Sequence, residues 1–274
     1  MNRSAVRPAW AFRFSRPVAY GEAAALQDRV HAARLRGDVP DLLLLMEHRP
    51  VVTLGRRGRT ASLRTTSAGF ARLGIEVFRA SRGGDVTYHG PGQWVLYPIL
   101  KLNEGPMDAH GYLHALEEIA LRTAADFGVT AFRRAGMSGA WTAWGKLAAI
   151  GFHLRRWVSL HGMSFNADPD LAGFAPIVPC GLAGEPVTSL RAILGAAAPP
   201  RAAVGDRLLA HAADVLHRRI ETCDAGRGPP AWRALLEATP ASGPATGPAA
   251  SEYRPTTSGG AAPPARRPRA PSRR

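Results

Sequence analysis

The stretch from Ala140 to Asn166, AWTAWGKLAAIGFHLRRWVSLHGMSFN, decides the fold that the sequence predicts. Its apolar runs are short, as in strands. We assign strands to Ala140–Ala143, Lys146–Leu154 and Trp157–Phe165, after an earlier strand at Val129–Arg133. Together they predict successive strands of a largely antiparallel sheet.

More strands are predicted on the N-terminal side of this stretch. Leu42–Met46 and Val51–Leu54 bracket a turn at residues 48–50, and Trp94–Leu100 forms another apolar run. Leu73–Arg79 has the pattern of a strand that follows a short helix. These segments extend the predicted sheet.

Three helices are predicted between the strands. The first covers Gly21–Leu35, and the second runs from an Asp108 cap to Phe127, where Gly128 ends it. The third, Arg201–Thr222, is amphipathic. Because strands and helices interleave without regular βαβ units, the predicted fold class is α/β (α+β), with a mixed, largely antiparallel central sheet flanked by helices.

The composition is that of a globular protein, with 46% hydrophobic and 20% charged residues among 274. No apolar run approaches the roughly 18–20 residues of a membrane-spanning helix. Met1–Pro17 lacks the apolar stretch of a secretory signal. Only Cys180 and Cys223 occur, without the spacing of a metal site. We therefore expect a cytoplasmic protein that binds no metal and needs no membrane.

Composition also predicts the domain limits. From residue 241 to the end there is no Val, Ile, Leu, Met, Phe or Trp, and there are seven prolines. Such a segment cannot bury enough surface to offset its ordering entropy. We predict a flexible N-terminus at residues 1–11, one folded domain at 12–238 and a disordered Pro/Ala/Arg-rich tail at 239–274.

The formal net charge of +14 comes almost entirely from arginine, because only Lys101 and Lys146 among the 35 basic residues are lysines. A lysine that persists against such a bias is a candidate for chemistry, since arginine cannot readily exchange a proton. Lys146 precedes an apolar strand. The alternative is a solvent-facing lysine at a hairpin tip.

The segment Arg82–Gln93, RGGDVTYHGPGQ, has four glycines in its first eleven residues, which let the backbone approach a ligand closely. It is no P-loop, because no Gly-Lys-Ser/Thr ends it. An ordinary glycine-rich turn is the alternative. His89 here, and His161 in SLHGMSFN further on, are candidates to orient a substrate, with a structural role as the alternative.

The segment Ile177–Leu182, IVPCGL, is suited to expose a nucleophile. Pro179 fixes its own φ, and Gly181 removes bulk beside the sulfur of Cys180. The alternative is a buried, inert cysteine, which is the commoner state of a free cysteine. We interpret Cys223, at the end of the predicted third helix, as structural.

Taken together, these segments resemble the lipoate-protein octanoyltransferase family, within the biotin/lipoate protein ligase superfamily. The string RGGxxTYHGPG and the triplet PCG are specific in combination, and the likeness runs from about Phe12 to Gly195. It is close in four segments: Arg82–Gln93, Gly145–Gly151, Ser159–Asn166 and Asp170–Leu182. It is weaker at Tyr20–Gln27 and Glu47–Arg57.

The resemblance implies that residues 12–238 are an octanoyltransferase catalytic domain of the biotin/lipoate ligase-like fold. It implies that Cys180 carries the acyl group as a thioester and that Lys146 is its catalytic partner. It also implies a set of substrate-binding residues: Arg82, Gly83, Gly84, Asp85, Val86, Thr87, Tyr88, His89, Ala149, Ile150, Gly151, Gly162, Met163 and Ser164.

The implied partners are octanoyl-acyl carrier protein as donor, and as acceptors the lipoyl domains of 2-oxoacid dehydrogenases and the glycine cleavage H protein. We expect a monomer without a cofactor. Three alternatives stay open: an ATP-dependent lipoate or biotin ligase, a transferase that takes octanoyl from another lipoyl protein, and a basic nucleic-acid-binding protein. The last is disfavoured, because the excess charge is spread out and no helix has a basic face interleaved with aromatics.

Overall fold

The structure is a computed structural model and describes residues 6–105, 107–179 and 184–238. Eleven strands and six α-helices are formed within these ranges. The strands are Arg7–Arg13 (β1), Asp41–Met46 (β2), Val51–Leu54 (β3), Glu76–Arg79 (β4), Val86–His89 (β5), Gln93–Ile99 (β6), Phe132–Arg134 (β7), Met137–Thr142 (β8), Gly145–Arg155 (β9), Val158–Asn166 (β10) and Arg218–Asp224 (β11). The helices are Tyr20–Arg36 (α1), Ser67–Arg72 (α2), Ala109–Asp126 (α3), Leu190–Leu194 (α4), Arg201–Val215 (α5) and Pro230–Glu237 (α6).

Eight strands form the main sheet, in the order β11-β1-β2-β6-β10-β9-β8-β7. Only β1 pairs in parallel, with β2 on one side and β11 on the other, while the other neighbours are antiparallel. This confirms the predicted mixed, largely antiparallel sheet. None of the helices in the described ranges is long and apolar enough to cross a membrane.

Helices cover both faces of the main sheet, and β2 shows why its sequence is a continuous leucine run. Leu43 and Leu45 pack toward α3 and α5. Leu42, Leu44 and Met46 face the opposite side, in the core cluster that α1 and α6 also line. A strand buried on both faces needs apolar residues at every position rather than at alternate ones. Each such side chain contributes about 1.5–3 kcal/mol to stability.

A second sheet of three strands, in the order β4-β3-β5, lies beside the main one. It has its own small core, which includes Val52, Val86 and Phe70. Only Gly90–Gly92 separate β5 from β6, so the small sheet is tied directly to the centre of the main sheet. This junction places the glycine-rich segment next to β9 and β10.

The predicted second helix and its cap are confirmed. Asp108 accepts a hydrogen bond from the Gly111 backbone N–H at 2.7 Å, and α3 then runs to Asp126. Gly128 follows with a φ of 72°, a left-handed conformation that ends the helix at little cost.

The predicted third helix, Arg201–Thr222, is too long. The helix α5 ends at Val215, and the left-handed φ of 52° at His217 turns the chain into β11. Pairing with β1 and an ion pair from Arg218 to Asp41, at 2.8 Å, favour the strand over continued helix. Cys223 therefore lies in an edge strand rather than at a helix end.

The flexible N-terminus predicted at residues 1–11 is wrong for residues 7–11. These residues form most of β1, which is paired on both sides. The ring of Phe12 stacks on that of Trp232 in α6, with centroids 3.7 Å apart. The predicted tail, residues 239–274, lies outside the described residues.

Candidate active site

A cavity of about 600 Å³ opens where the two sheets meet. Its walls come from β5, β6, the middle of β9 and β10, and the loop after β3. Lys146 lines it, together with eleven of the fourteen residues predicted to bind substrate: Arg82, Gly84, Asp85, Thr87, His89, Ala149, Ile150, Gly151, Gly162, Met163 and Ser164. Segments far apart in the chain are thus brought together around one space.

Strand β5 divides the predicted residues between two faces, because side chains alternate along a strand. Thr87 and His89 face the cavity. Val86 and Tyr88 belong to the core of the small sheet, where the Tyr88 ring lies edge-on to Phe174 with centroids 5.2 Å apart. Gly83 contributes through its backbone N–H, which donates to the Phe152 oxygen at 2.9 Å. Val86, Tyr88 and Gly83 therefore do not line the cavity themselves but support the segment that does.

The Arg82 guanidinium links two segments of the cavity wall by hydrogen bonds. It donates to the Thr53 hydroxyl from Nε at 3.1 Å and from Nη2 at 2.7 Å, and Nη2 also donates to the Thr53 backbone oxygen at 2.6 Å. Hydrogen bonds from a charged donor are stronger than neutral ones. Arg82 therefore holds the glycine-rich segment against the end of β3 while it also lines the cavity.

The loop after β3, residues 56–59, which we name the arginine loop, is fixed to the glycine-rich segment by backbone hydrogen bonds. Arg56 N–H donates to the Arg82 oxygen at 2.9 Å, and Arg57 N–H donates to the Gly84 oxygen at 3.1 Å. Gly84 has a φ of 85°, which glycine adopts without strain. Asp85 completes the junction, since its carboxylate accepts from the Arg59 N–H at 3.1 Å.

Lys146 sits near the start of β9 and is only 7% exposed. Its backbone N–H donates to the Pro186 oxygen at 2.9 Å, and its Nζ lies 5.1 Å from the centre of the Trp141 ring. Opposite it, Gly139 has a φ of 120°, and a Cβ there would lie 2.8 Å from Lys146 Cε. The glycine thus leaves room for a buried ammonium group, contrary to the alternative of a solvent-facing hairpin lysine.

The predicted nucleophile, Cys180, lies outside the described residues. The described range 107–179 stops directly before it, and Pro179 lines a small cleft beside the main cavity. Lys146 lines the same cleft. Val178 lines the main cavity itself.

Sequence reasoning singled out His89 and His161 but missed the three buried rings that surround them in the cavity floor and behind it. Tyr20, His48, His89, Tyr97 and His161 lie with neighbouring ring centroids 5.2–6.2 Å apart. Tyr20 and His48 precede the glycine-rich segment by 62 and 34 residues, whereas Tyr97 follows it by four, in the next strand. Only the weaker matches at Tyr20–Gln27 and Glu47–Arg57 gave any signal for two of them.

Burial keeps this cluster uncharged. It lowers the pKa of His48 to about 4 and that of His161 to about 3, and it lowers the pKa of His89 well below 6.5. Burial also raises the pKa of Tyr20 to about 12 and the pKa of Tyr97 well above 10. Desolvation disfavours the charged form in each case. The floor is therefore polar but neutral at pH 7.

Both predicted histidines have fixed partners. His89 Nδ1 lies 2.6 Å from the Gln93 side-chain oxygen, and His161 Nε2 lies 2.8 Å from the Ser81 hydroxyl. His161 also has a left-handed φ of 59° within β10, and its N–H donates to the Gln27 side-chain oxygen at 2.8 Å. Among the described residues, no group of three or more His, Cys, Asp or Glu side chains is placed to hold a metal ion.

A family model described as the lipoyl protein ligase A/B catalytic domain matches residues 19–213, well over half of the chain. The chain belongs to this family. The octanoyltransferase of Geobacter metallireducens is 47% identical over 177 residues, which cover 65% of this chain and 80% of that protein. The octanoyltransferase of Chloroflexus aurantiacus is 43% identical over 209 residues, which cover 74% and 93%. With relatives of this kind at 43–48% identity, this family member is an acyltransferase.

Solved structures agree on the fold. A lipoate-protein ligase A bound with ATP superposes with a TM-score of 0.65 at 15% identity, covering 84% of this chain and 92% of that one. The bipartite lipoate protein ligase of Thermoplasma acidophilum gives a TM-score of 0.64 at 14% identity, covering 85% and 91%. At such low identity the likeness concerns the fold of this family member, and it confirms the predicted ligase-like architecture.

Proposed function

We propose that this acyltransferase moves an octanoyl group from octanoyl-acyl carrier protein to a specific lysine of lipoyl domains, in lipoate biosynthesis. The acceptors would be the lipoyl domains of 2-oxoacid dehydrogenases and the glycine cleavage H protein. The observation that carries the proposal is a buried lysine, Lys146, in the wall of the cavity of a chain whose relatives at 43–48% identity are octanoyltransferases.

The cavity suits a linear acyl chain. Gly151 and Gly162 are paired across β9 and β10 and line the cavity together with the apolar residues Ile150, Met163 and Val95. Neither position has room for a side chain, because a Cβ there would meet the backbone oxygen of Gly83 or of Leu96. Its volume lies in the range of small-molecule sites. Burial of each methylene of the octanoyl chain contributes about 0.8 kcal/mol.

In the first proposed step, the Cys180 thiol gives its proton to Lys146, and the thiolate attacks the carbonyl carbon of the octanoyl thioester. The bond from this carbon to the carrier sulfur breaks, and the departing thiolate takes the proton from the Lys146 ammonium. A nearby ammonium favours the thiolate, which is the nucleophilic form. Pro179, directly before Cys180, lines the same cleft as Lys146, which supports this pairing.

In the second proposed step, the lysine amine of the lipoyl domain attacks the enzyme thioester. The amine gives a proton to neutral Lys146 as the amide bond forms, and the Cys180 sulfur leaves as a thiolate stabilised by the resulting ammonium. An arginine could not accept that proton at neutral pH. His89 and His161 are weak bases because burial lowers their pKa, so proton transfer falls to Lys146.

The test is transfer without ATP. The full chain is incubated with octanoyl-loaded acyl carrier protein and an unmodified lipoyl domain, and the mass of the lipoyl domain is followed. One added octanoyl group, in the absence of nucleotide, supports the proposal. Modification that occurs only with ATP and a free acid would contradict it and indicate a ligase.

A further inference from the structure

The cavity carries more positive charge than an acyl chain requires. The described residues that line it include four cations, Arg57, Arg59, Arg82 and Lys146, and only one carboxylate, that of Asp85. An octanoyl thioester has no charge. The excess of cations therefore indicates that another part of the substrate is anionic.

Two of the four cations already have a role. Arg82 is held by the hydroxyl and the backbone oxygen of Thr53, and Lys146 serves the proposed proton transfers. Arg57 and Arg59 remain. Both are exposed side chains that also line the cavity, so they lie at its mouth. Neither guanidinium forms a hydrogen bond or ion pair with another residue in the described part of the chain.

The backbone that carries these two arginines is held in place. The N–H groups of Arg57 and Arg59 donate to Gly84 and Asp85 of the glycine-rich segment, at 3.1 Å each. Gly58 between them turns tightly, since its N–H donates to the Gly55 oxygen at 2.8 Å. A fixed loop lowers the entropy that is lost when a ligand binds.

We propose that Arg57 and Arg59 bind the phosphate of the phosphopantetheine arm on which an acyl carrier protein presents its thioester. This inference rests on the proposed function. The thioester end of the arm would lie beside Lys146, while the phosphate stays at the mouth of the cavity. Guanidinium groups match phosphate oxygens with paired hydrogen bonds.

Arg56 provides a matched control within the same loop. Arg56 is exposed, and its backbone N–H is hydrogen-bonded to the glycine-rich segment like that of Arg57. Its guanidinium lies near His153 instead: burial is the main reason that the pKa of His153 is lowered, and the positive charge of Arg56 is the second. Replacing Arg56 removes one positive charge from the loop without touching the cavity lining.

The test measures binding by calorimetry at fixed, near-physiological ionic strength. The ligands are S-octyl-4′-phosphopantetheine, S-octyl-pantetheine and ATP, and the proteins are the full chain, the double variant R57Q/R59Q and the control R56Q. The two thioethers carry an alkyl chain that cannot be transferred. The ratio of their dissociation constants can therefore be measured even if the protein does not transfer octanoyl groups. Failure of this inference and failure of the proposed function are thus separate results.

We expect the wild type and R56Q to bind the phosphorylated thioether at least about tenfold more tightly than the unphosphorylated one, which equals about 1.4 kcal/mol. In R57Q/R59Q this preference should vanish, while the affinity for S-octyl-pantetheine stays unchanged. Equal affinity of the wild type for both thioethers would overturn the inference. So would an equal loss for both in the double variant, or tighter binding of ATP that depends on the same two arginines.

Discussion

A buried lysine in a chain that otherwise uses arginine is the residue on which the proposed chemistry depends. Lys101, the other lysine, is more exposed, and its Nζ forms an ion pair with Glu104 at 2.9 Å. An arginine could form the same ion pair. Lys146 instead lies over the Trp141 ring in a space that Gly139 leaves open. Its setting indicates a requirement for an amine rather than for charge alone.

The replacement Lys146→Arg tests that requirement. Arginine keeps the charge but cannot accept a proton, so octanoyl transfer should fall by about 10²–10⁴-fold in kcat/KM. Lys101→Arg is the control and should transfer at the wild-type rate. Full transfer by the Lys146→Arg variant, measured as product on the lipoyl domain over time, would rule out a proton-transfer role for Lys146.

For single residues, the sequence predicted which residues belong to the site better than it predicted which way their side chains point. It singled out Lys146 and the glycine-rich segment, and eleven of the fourteen proposed binding residues line the cavity. It did not separate Thr87 and His89 from Val86 and Tyr88, because both faces of β5 are buried. When neither face is solvated, no polar alternation shows which side chains meet the cavity.

At the scale of elements, a buried carboxylate joins α1, β2 and β11. Asp41 is 2% exposed and accepts from Arg34 Nε at 2.7 Å and from Arg218 Nε at 2.8 Å. It also accepts from the Lys101 backbone N–H at 3.0 Å. The strand β11, where the sequence predicted helix, is thus tied to the sheet by a side chain almost 180 residues away.

Asp41→Asn should therefore be strongly destabilising. It would leave the largely buried Arg218 guanidinium without a counter-charge and Arg34 with only the more exposed Glu104, at a cost of about 3–5 kcal/mol in the free energy of unfolding. Asp38→Asn, which removes an exposed partner of Arg36, should change that free energy by no more than about 0.5 kcal/mol. Urea denaturation at pH 7.5 measures both, and a cost below about 1 kcal/mol for Asp41→Asn would contradict this account.

The elements that were predicted correctly are those whose pattern is local. β2, β9 and β10 follow from short apolar runs, and α3 follows from its Asp108 cap. β1 and β11 could not be predicted in the same way, because they are stabilised by pairing with each other across more than 200 residues. Their own sequences, RPAWAFR and RRIETCD, contain charged residues that resemble loop or helix.

At the scale of the whole molecule, the two sheets enclose rings that burial keeps neutral, and this makes stability depend on pH. The folded-state pKa of His48 is about 4 and that of His161 about 3, below the ordinary 6.5. As pH falls below 6.5, the unfolded chain binds protons that the folded protein does not. The free energy of unfolding then falls by about 1.4 kcal/mol per pH unit for each such histidine, until its folded-state pKa is reached.

The variant His161→Asn isolates one of these contributions, because asparagine tolerates the left-handed φ at this position. Denaturant unfolding at pH 7.5, 6.0 and 5.0 should show stability falling with pH in both proteins. Below pH 6.5 the decline should be less steep in the variant, by roughly 1.4 kcal/mol per pH unit. Identical pH dependence in the two proteins would mean that His161 is not held neutral by the fold.

The central claim is a covalent octanoyl group on Cys180, and the intact mass of the protein tests it most directly. The full chain, Cys180→Ala and Cys223→Ala are each incubated with octanoyl-loaded acyl carrier protein, without ATP and without a lipoyl domain. Cys223 is the control, because burial raises the pKa of its thiol and makes it a poor nucleophile. We predict one added octanoyl group on the wild type and on Cys223→Ala, and none on Cys180→Ala. Labelling of Cys180→Ala, or no labelling of any of the three, would contradict the account.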